Sequence, residues 1–305
     1  MLEKLTALMA TDERVYVLTA DTGFHIFDEL QQEYPSRYLN VGLCEATMIG
    51  MAAGLSHEGK RVFVYAIAPF ATMRSFEQIR VDLCYPCLPA TVIGVGGGLT
   101  YGPAGPTHHT IEDIAVMAAL PNMTVVCPGD PWESGAAIEA CMTWDRPVYL
   151  RLGKTGEPTI HDGVPPGFAF GRGIEVCRGE DVAIIATGGI LAEAVESASV
   201  LAGRGISATV ISMHTVKPID EELVVRAAQE HRALVTVEEH SRIGGLADAV
   251  DRVLVDRGVS VPRVVCSLPD AYEKAAGSQA YLREKHGLTA WAIAAKAEEQ
   301  TRAAR

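Results

Sequence analysis

Glu45 is the residue on which chemistry can first be argued. It stands in Gly42-Leu43-Cys44-Glu45-Ala46, between an extended segment at residues 37–41 and a small-residue run at 46–55. That run is apolar almost all round, the pattern of a helix buried on every side. A carboxyl in the first turn of such a helix feels two opposed pulls. The helix N-terminus favours its charge, and burial favours its protonated form. A group held between them suits proton relay. A plain interaction with the helix terminus explains the position equally well.

Three further groups carry chemistry. Ala68-Pro69-Phe70, with Phe76 six residues on, offers two aromatics just past an apolar run. They can form a flat apolar slot or simply pack into a core. Gly105-Pro106-Thr107-His108-His109 is a rigid loop with two histidines. Neighbouring side chains point different ways, so one catalytic or substrate-contacting imidazole is expected there and not a shared metal. The last group is the stretch from Thr215 to Asp220 with Glu238-Glu239-His240 and Gly244-Gly245-Leu246, read as domain packing or interface. Cys84-Tyr85-Pro86-Cys87 has no second pair and no histidine at ligand spacing, so it reads as structural.

Alternating strands and helices must position these residues. Residues 14–20, 61–68, 90–95, 123–127 and 148–152 read as buried strands, with helices over 24–34, 75–83, 111–120 and 131–142 between them. After a Gly- and Pro-rich stretch the pattern starts afresh. Strands are expected at 181–187, 208–213, 233–237 and 263–267, and helices at 190–203, 221–231, 246–257 and 289–301. Near-continuous apolar strands alternating with helices predict two α/β domains, each built on a parallel sheet covered on both faces. Ligands then gather beyond the carboxyl ends of the strands. Asp21, Phe70, residues 96–98 and the histidine loop all follow strands.

Composition narrows the function class. The 305 residues carry a formal charge of −12, which disfavours nucleic acid and anionic membranes. No apolar run has the roughly 18 residues of a membrane span. The N-terminus lacks a signal-peptide pattern, and seven scattered cysteines fit a reducing cytoplasm.

Taken in order, these stretches closely resemble the C-terminal half of transketolase-family enzymes, which use thiamine diphosphate. The resemblance joins a pyrimidine-binding domain, residues 1–155, through a linker at 156–178 to the family's C-terminal domain at 179–305. It implies a role for each candidate. Glu45 would hydrogen-bond N1′ of the aminopyrimidine and shuttle a proton, so that the cofactor becomes the nucleophile and the protein supplies orientation and relay. Phe70 matches the aromatic that stacks on the pyrimidine, Phe76 a second ring-contacting aromatic, and Met73 lines the space between. Asp21 falls near the cofactor at a dimer interface. His108 matches a substrate-facing histidine, and Arg151 falls beside an arginine that binds a sugar phosphate.

Two departures stand out. Ala104 replaces an acidic residue and Gly96 a histidine, both of which contact sugar hydroxyls in the family. A site without them should discriminate less sharply among sugars or hold a different substrate. The family's Gly-Asp-Gly motif for diphosphate and Mg²⁺ is also absent. Gly129-Asp130-Pro131 reads instead as a helix start, with Asp130 as N-cap and Pro131 at the first position. The diphosphate site and all metal ligands are therefore expected from an N-terminal partner subunit, in an α2β2 assembly. The implied activity is transfer of a two-carbon ketol unit between (phospho)sugars by the C-terminal subunit of a split transketolase. A deoxyxylulose-phosphate-synthase-like enzyme or a 2-oxoacid decarboxylase β-subunit would use the same site. A non-catalytic assembly module would keep the fold without turnover, but Glu45, Phe70 and His108 together argue against it.

Overall fold

The computed structural model describes residues 1–303 except Phe24 and Thr155. Its first part runs α1 (Leu2–Thr11), β1 (Val15–Thr19), α2 (Asp28–Glu33), β2 (Tyr38–Asn40), α3 (Glu45–His57), β3 (Arg61–Ile67), α4 (Phe76–Gln78), β4 (Ala90–Val95), α5 (Asp113–Ala118), β5 (Thr124–Val126), α6 (Pro131–Cys141) and β6 (Val148–Leu152). The second part runs β7 (Ile174–Cys177), β8 (Val182–Thr187), α7 (Leu191–Ala202), β9 (Ala208–Ser212), β10 (Thr215–Lys217), α8 (Glu221–Glu230), β11 (Ala233–Ser241), α9 (Leu246–Asp256), β12 (Arg263–Leu268), α10 (Gln279–Lys285) and α11 (Ala290–Ala303).

Two sheets result, and both are parallel except at one edge. The first has the order β10-β5-β6-β4-β3-β1-β2 and the second β12-β11-β8-β9-β7. The central strands are continuous runs such as Val-Phe-Val-Tyr-Ala in β3 and Ala-Thr-Val-Ile-Gly-Val in β4, buried at nearly every position. Only a strand covered on both faces by helices tolerates that pattern. In the first sheet α3 and α5 pack on one face, and α1, α2 and α6 on the other. In the second, α7 and α11 cover one face while α8 and α9 cover the opposite one.

The two antiparallel edges were not legible in the sequence. β10 pairs with β5, so a piece of the later chain completes the first sheet. The Lys217 ammonium then caps the end of α5 by donating to the carbonyls of Ala118 (2.8 Å) and Leu120 (2.5 Å). β7 lies inside the stretch expected to be linker and pairs with β9. The rest of that stretch is irregular but docked. Asp130, the N-cap of α6, accepts from the backbone N–H groups of Ile160 (3.0 Å) and His161 (2.9 Å). Phe168 stacks on His214 at 4.3 Å, and Phe170 meets Trp144 edge-on.

Three expected helices differ. The helix expected over 24–34 forms only as Asp28–Glu33; Phe24 lies outside the described residues. The helix expected at 75–83 begins earlier and is wound wide, with π-helical turns at Phe70–Arg74 and Ile79–Cys84 on either side of α4. The third, α3, is not buried all round. Glu45, Met48, Ile49, Ala52 and Ala53 face the core, but Thr47, Gly50, Met51 and Gly54 are exposed on the other side. Among the described residues no helix is long and apolar enough to cross a membrane.

Candidate active site

The carboxyl ends of β1, β3, β4 and β6 surround a cavity of 620 Å³ lined by Asp21, Glu45, Tyr65, Phe70, Arg74, Tyr101 and Lys154, among others. The strand order explains the place. The chain leaves β1 for β2 on one side and for β3 and β4 on the other, and a crevice opens where the order reverses.

Each wall is fixed locally. Asn40 at the end of β2 accepts from the backbone N–H groups of Asp21 and Gly42, both at 3.0 Å. That one amide ties the turn after β1 to the turn before α3. Asp21 sits at φ +49°, a conformation such a turn imposes on few side chains. α3 then begins at Glu45, whose carboxyl is only 1% exposed yet lines the cavity. Such a group needs a partner. It has Arg74, whose Nη1 lies 3.1 and 2.9 Å from the two carboxylate oxygens. Arg74 comes from the wide turn after β3, and its guanidinium lies 4.6 Å above the Phe70 ring. Nothing in the sequence singled Arg74 out. A regular helix from residue 75 gives no reason to turn it toward Glu45.

His108 meets Phe70 edge-on at 5.4 Å between ring centres, so the expected imidazole stands beside the expected aromatic. His109 is buried and faces the Gly102 carbonyl at 3.2 Å, away from its neighbour. Among the described residues no cluster of three or more His, Cys, Asp or Glu could hold a metal ion.

Three expected positions stand elsewhere. Phe76 packs against the core beneath the sheet, and Met73 is a partly exposed side chain that does not line the cavity. Arg151 is buried: its Nε bonds Asp113 at 2.8 Å, and its Nη2 donates to the Thr110 and Glu239 carbonyls at 2.9 and 3.0 Å. Its guanidinium thus ties the first sheet to the second. The cation that lines the cavity at this edge is Lys154, three residues later, 5.1 Å above the Tyr101 ring. Tyr101, also missed, packs against Gly96, and burial raises its hydroxyl pKa.

The acidic group of the second domain is structural. Glu238 accepts from the N–H groups of Leu246 (2.6 Å) and Ala247 (3.0 Å) at the start of α9, and burial pushes its carboxyl up to about 7. Glu239 accepts from Leu99 N–H, Gln279 and Arg283 across the two sheets. His240 is buried, with Nδ1 facing the Ser241 carbonyl at 2.8 Å. All seven cysteines, Cys84 and Cys87 included, are free.

The cavity therefore offers a buried carboxyl beside an aromatic face and a separate cation for an anionic group, while His108 stands at the edge of that ring without lining the cavity. Comparison with known proteins gives this arrangement a context. Residues 2–157 match the transketolase pyrimidine-binding domain and residues 171–293 the transketolase C-terminal domain. The chain is 35% identical over 269 residues to an apulose-4-phosphate transketolase subunit of Phocaeicola vulgatus, covering 88% of this chain and 86% of that one. It is 38% identical over 291 residues to the 6-deoxy-6-sulfo-D-fructose transketolase subunit of a Clostridium species, covering 95% and 89%. Its backbone superposes with a TM-score of 0.90 on the solved structure of a split gene transketolase, an inactive β4 tetramer, at 36% identity and 100% and 97% coverage.

Proposed function

The chain belongs to the transketolase family, and on that premise we propose that it is the C-terminal subunit of a split transketolase that transfers a two-carbon ketol unit between anionic sugars. The observation that carries this reading is Glu45, buried at the floor of a cavity whose wall is the Phe70 ring.

The residues present fit the aminopyrimidine of thiamine diphosphate. A planar, basic heterocycle needs one aromatic face and one carboxyl in its ring plane, and Phe70 and Glu45 supply that pair. The bound cofactor would provide the nucleophilic carbon that adds to a ketose carbonyl. Glu45 then holds and returns a proton at a ring nitrogen, shielded from water by its burial. His108, at the edge of Phe70, presents an imidazole to a substrate oxygen on that side. Asp21 and its Asn40 anchor shape the opposite lip. Lys154 attracts the anionic end of the sugar; a phosphate and a sulfonate are equally good partners for its ammonium. Those two anions are the ones borne by the substrates for which the two relatives are named.

Residues 1–155 then act as the pyrimidine-binding domain and 179–305 as the C-terminal domain, joined by the docked stretch 156–178. An N-terminal partner subunit with the Gly-Asp-Gly motif supplies the diphosphate site and the Mg²⁺ ligands. The exposed face of α3 and the exposed Leu43 beside it are the contact surface for an α2β2 assembly. Seven free cysteines suit an enzyme of the reducing cytoplasm.

The test is reconstitution. The chain, alone and mixed with its N-terminal section, is assayed for ketol transfer from a ketose phosphate and from a 6-sulfonated ketose. Transfer only in the mixture supports the reading. No transfer in the mixture, or turnover by the chain alone, overturns it.

A further inference from the structure

Arg74 makes both contacts that the proposed function reserves for the cofactor ring. It donates to both oxygens of Glu45 through Nη1, and its guanidinium covers a face of Phe70. Both partners line the same cavity as Arg74 itself, so the covered face belongs to the cavity. A guanidinium is planar, carries N–H donors in its plane, and stacks on aromatic rings. It is therefore a fair mimic of an aminopyrimidine lying in this slot.

We infer that Arg74 is an internal occupant of the ring slot: it pairs with Glu45 and covers Phe70 in the empty chain, and it withdraws when a planar ring enters. The physical roles divide cleanly. Without a ring in place, a carboxylate buried as deeply as Glu45 would lack a partner, a costly arrangement. Arg74 removes that cost. It can also leave readily. Its side chain is 53% exposed, so the guanidinium returns to water without being stranded. With the Arg74 end half in water its attraction to Glu45 is partly screened, and a cation–π contact at a half-exposed site adds only a small amount. Arg74 is thus a positioning residue for Glu45 and a competitor of the ring. This rests on the function proposed above.

Competition has a sign that a binding contact cannot imitate. If the slot is open only a fraction of the time, apparent affinity falls by that fraction, and removing the occupant restores it. The measurement is the Kd of thiamine diphosphate, with Mg²⁺, for the chain assembled with its N-terminal section, by calorimetry. Arg74→Gln is expected to tighten binding about three- to tenfold, and Arg74→Lys, which keeps charge but loses the planar fork, by less. Unchanged or weaker binding in Arg74→Gln overturns the inference, since weaker binding would make Arg74 a contact of the bound ring. A second readout needs no cofactor. In the free chain, a double-mutant cycle of Glu45→Gln and Arg74→Gln on the unfolding equilibrium is expected to show coupling of about twofold or more. Strict additivity overturns the inference whatever the assembly does. A wild-type assembly that binds no thiamine diphosphate overturns the function on which it rests.

Discussion

The Tyr101 ring lies against the bare α-carbon of Gly96, so that a Cβ built on Gly96 would stand 2.1 Å from two ring atoms. Gly96 also holds φ +86°, where side chains are strained. Position 96 therefore has no room for the histidine that the family resemblance implies there; the aromatic ring of Tyr101 lines the cavity instead.

Gly96→Ala must displace that ring. It should cost about 1–3 kcal/mol of stability from overpacking and backbone strain, and raise KM for the sugar donor in the reconstituted enzyme. Thermal unfolding and steady-state kinetics on the same preparation check both. Unchanged values would mean that Tyr101 does not shape the site.

Arg151 is expected to be a domain clamp. Arg151→Met strands the buried Asp113, which among the described residues would keep the Tyr149 hydroxyl as its side-chain partner. Breaking one side of such a pair costs roughly 3–5 kcal/mol. Urea unfolding followed by far-ultraviolet circular dichroism should show the loss. A fully stable variant with a raised KM would return Arg151 to the substrate site.

Lys154→Ala should raise KM for a phosphorylated or sulfonated substrate by about ten- to a hundredfold, as expected for a charge-assisted contact. An uncharged analogue should be affected far less. Equal losses for both would show that Lys154 shapes the cavity without reading the anion.

Two buried groups set opposed pH slopes. Burial raises Glu238 from 4.5 to about 7, so the folded chain keeps a proton that the unfolded chain gives up. Stability from Glu238 is complete below pH 4.5 and is lost as pH rises through about 7. Burial lowers His214 from 6.5 to about 4, so its contribution is complete above 6.5 and is lost as pH falls through about 4. Between 4.5 and 6.5 the two offset each other. Glu238→Gln removes one side, so its stability should fall more steeply on acidification than that of the wild type, by on the order of 3 kcal/mol across the window. Denaturant titrations from neutral to mildly acidic pH would show it; parallel curves would contradict it.

The fold was legible where the pattern is long and regular. Buried runs such as Val62 to Ala66 and Val182 to Ala186 announce central parallel strands, and Asp130-Pro131 announces α6. β10 escaped because Thr-Val-Lys is too short to show a period and is a strand only through β5. The site was legible in part for a similar reason. Glu45, Phe70 and His108 are marked by their immediate neighbours in the chain. Arg74, Tyr101 and Lys154 reach the cavity through a π-helical turn, a bare glycine and a strand end, none of which leaves a local trace. The partners of Arg151 were not legible because its position at a strand end says nothing about which groups its side chain binds.

The most direct measurement is turnover by Glu45→Gln in the reconstituted two-chain enzyme, with thermal unfolding recorded alongside. Glutamine keeps the volume and loses the ionisable proton. A drop in kcat of at least about a hundredfold, the usual scale for general acid–base groups, with folding and assembly retained, is the predicted result. Near-wild-type turnover would contradict the assignment of Glu45 and the cavity built around it.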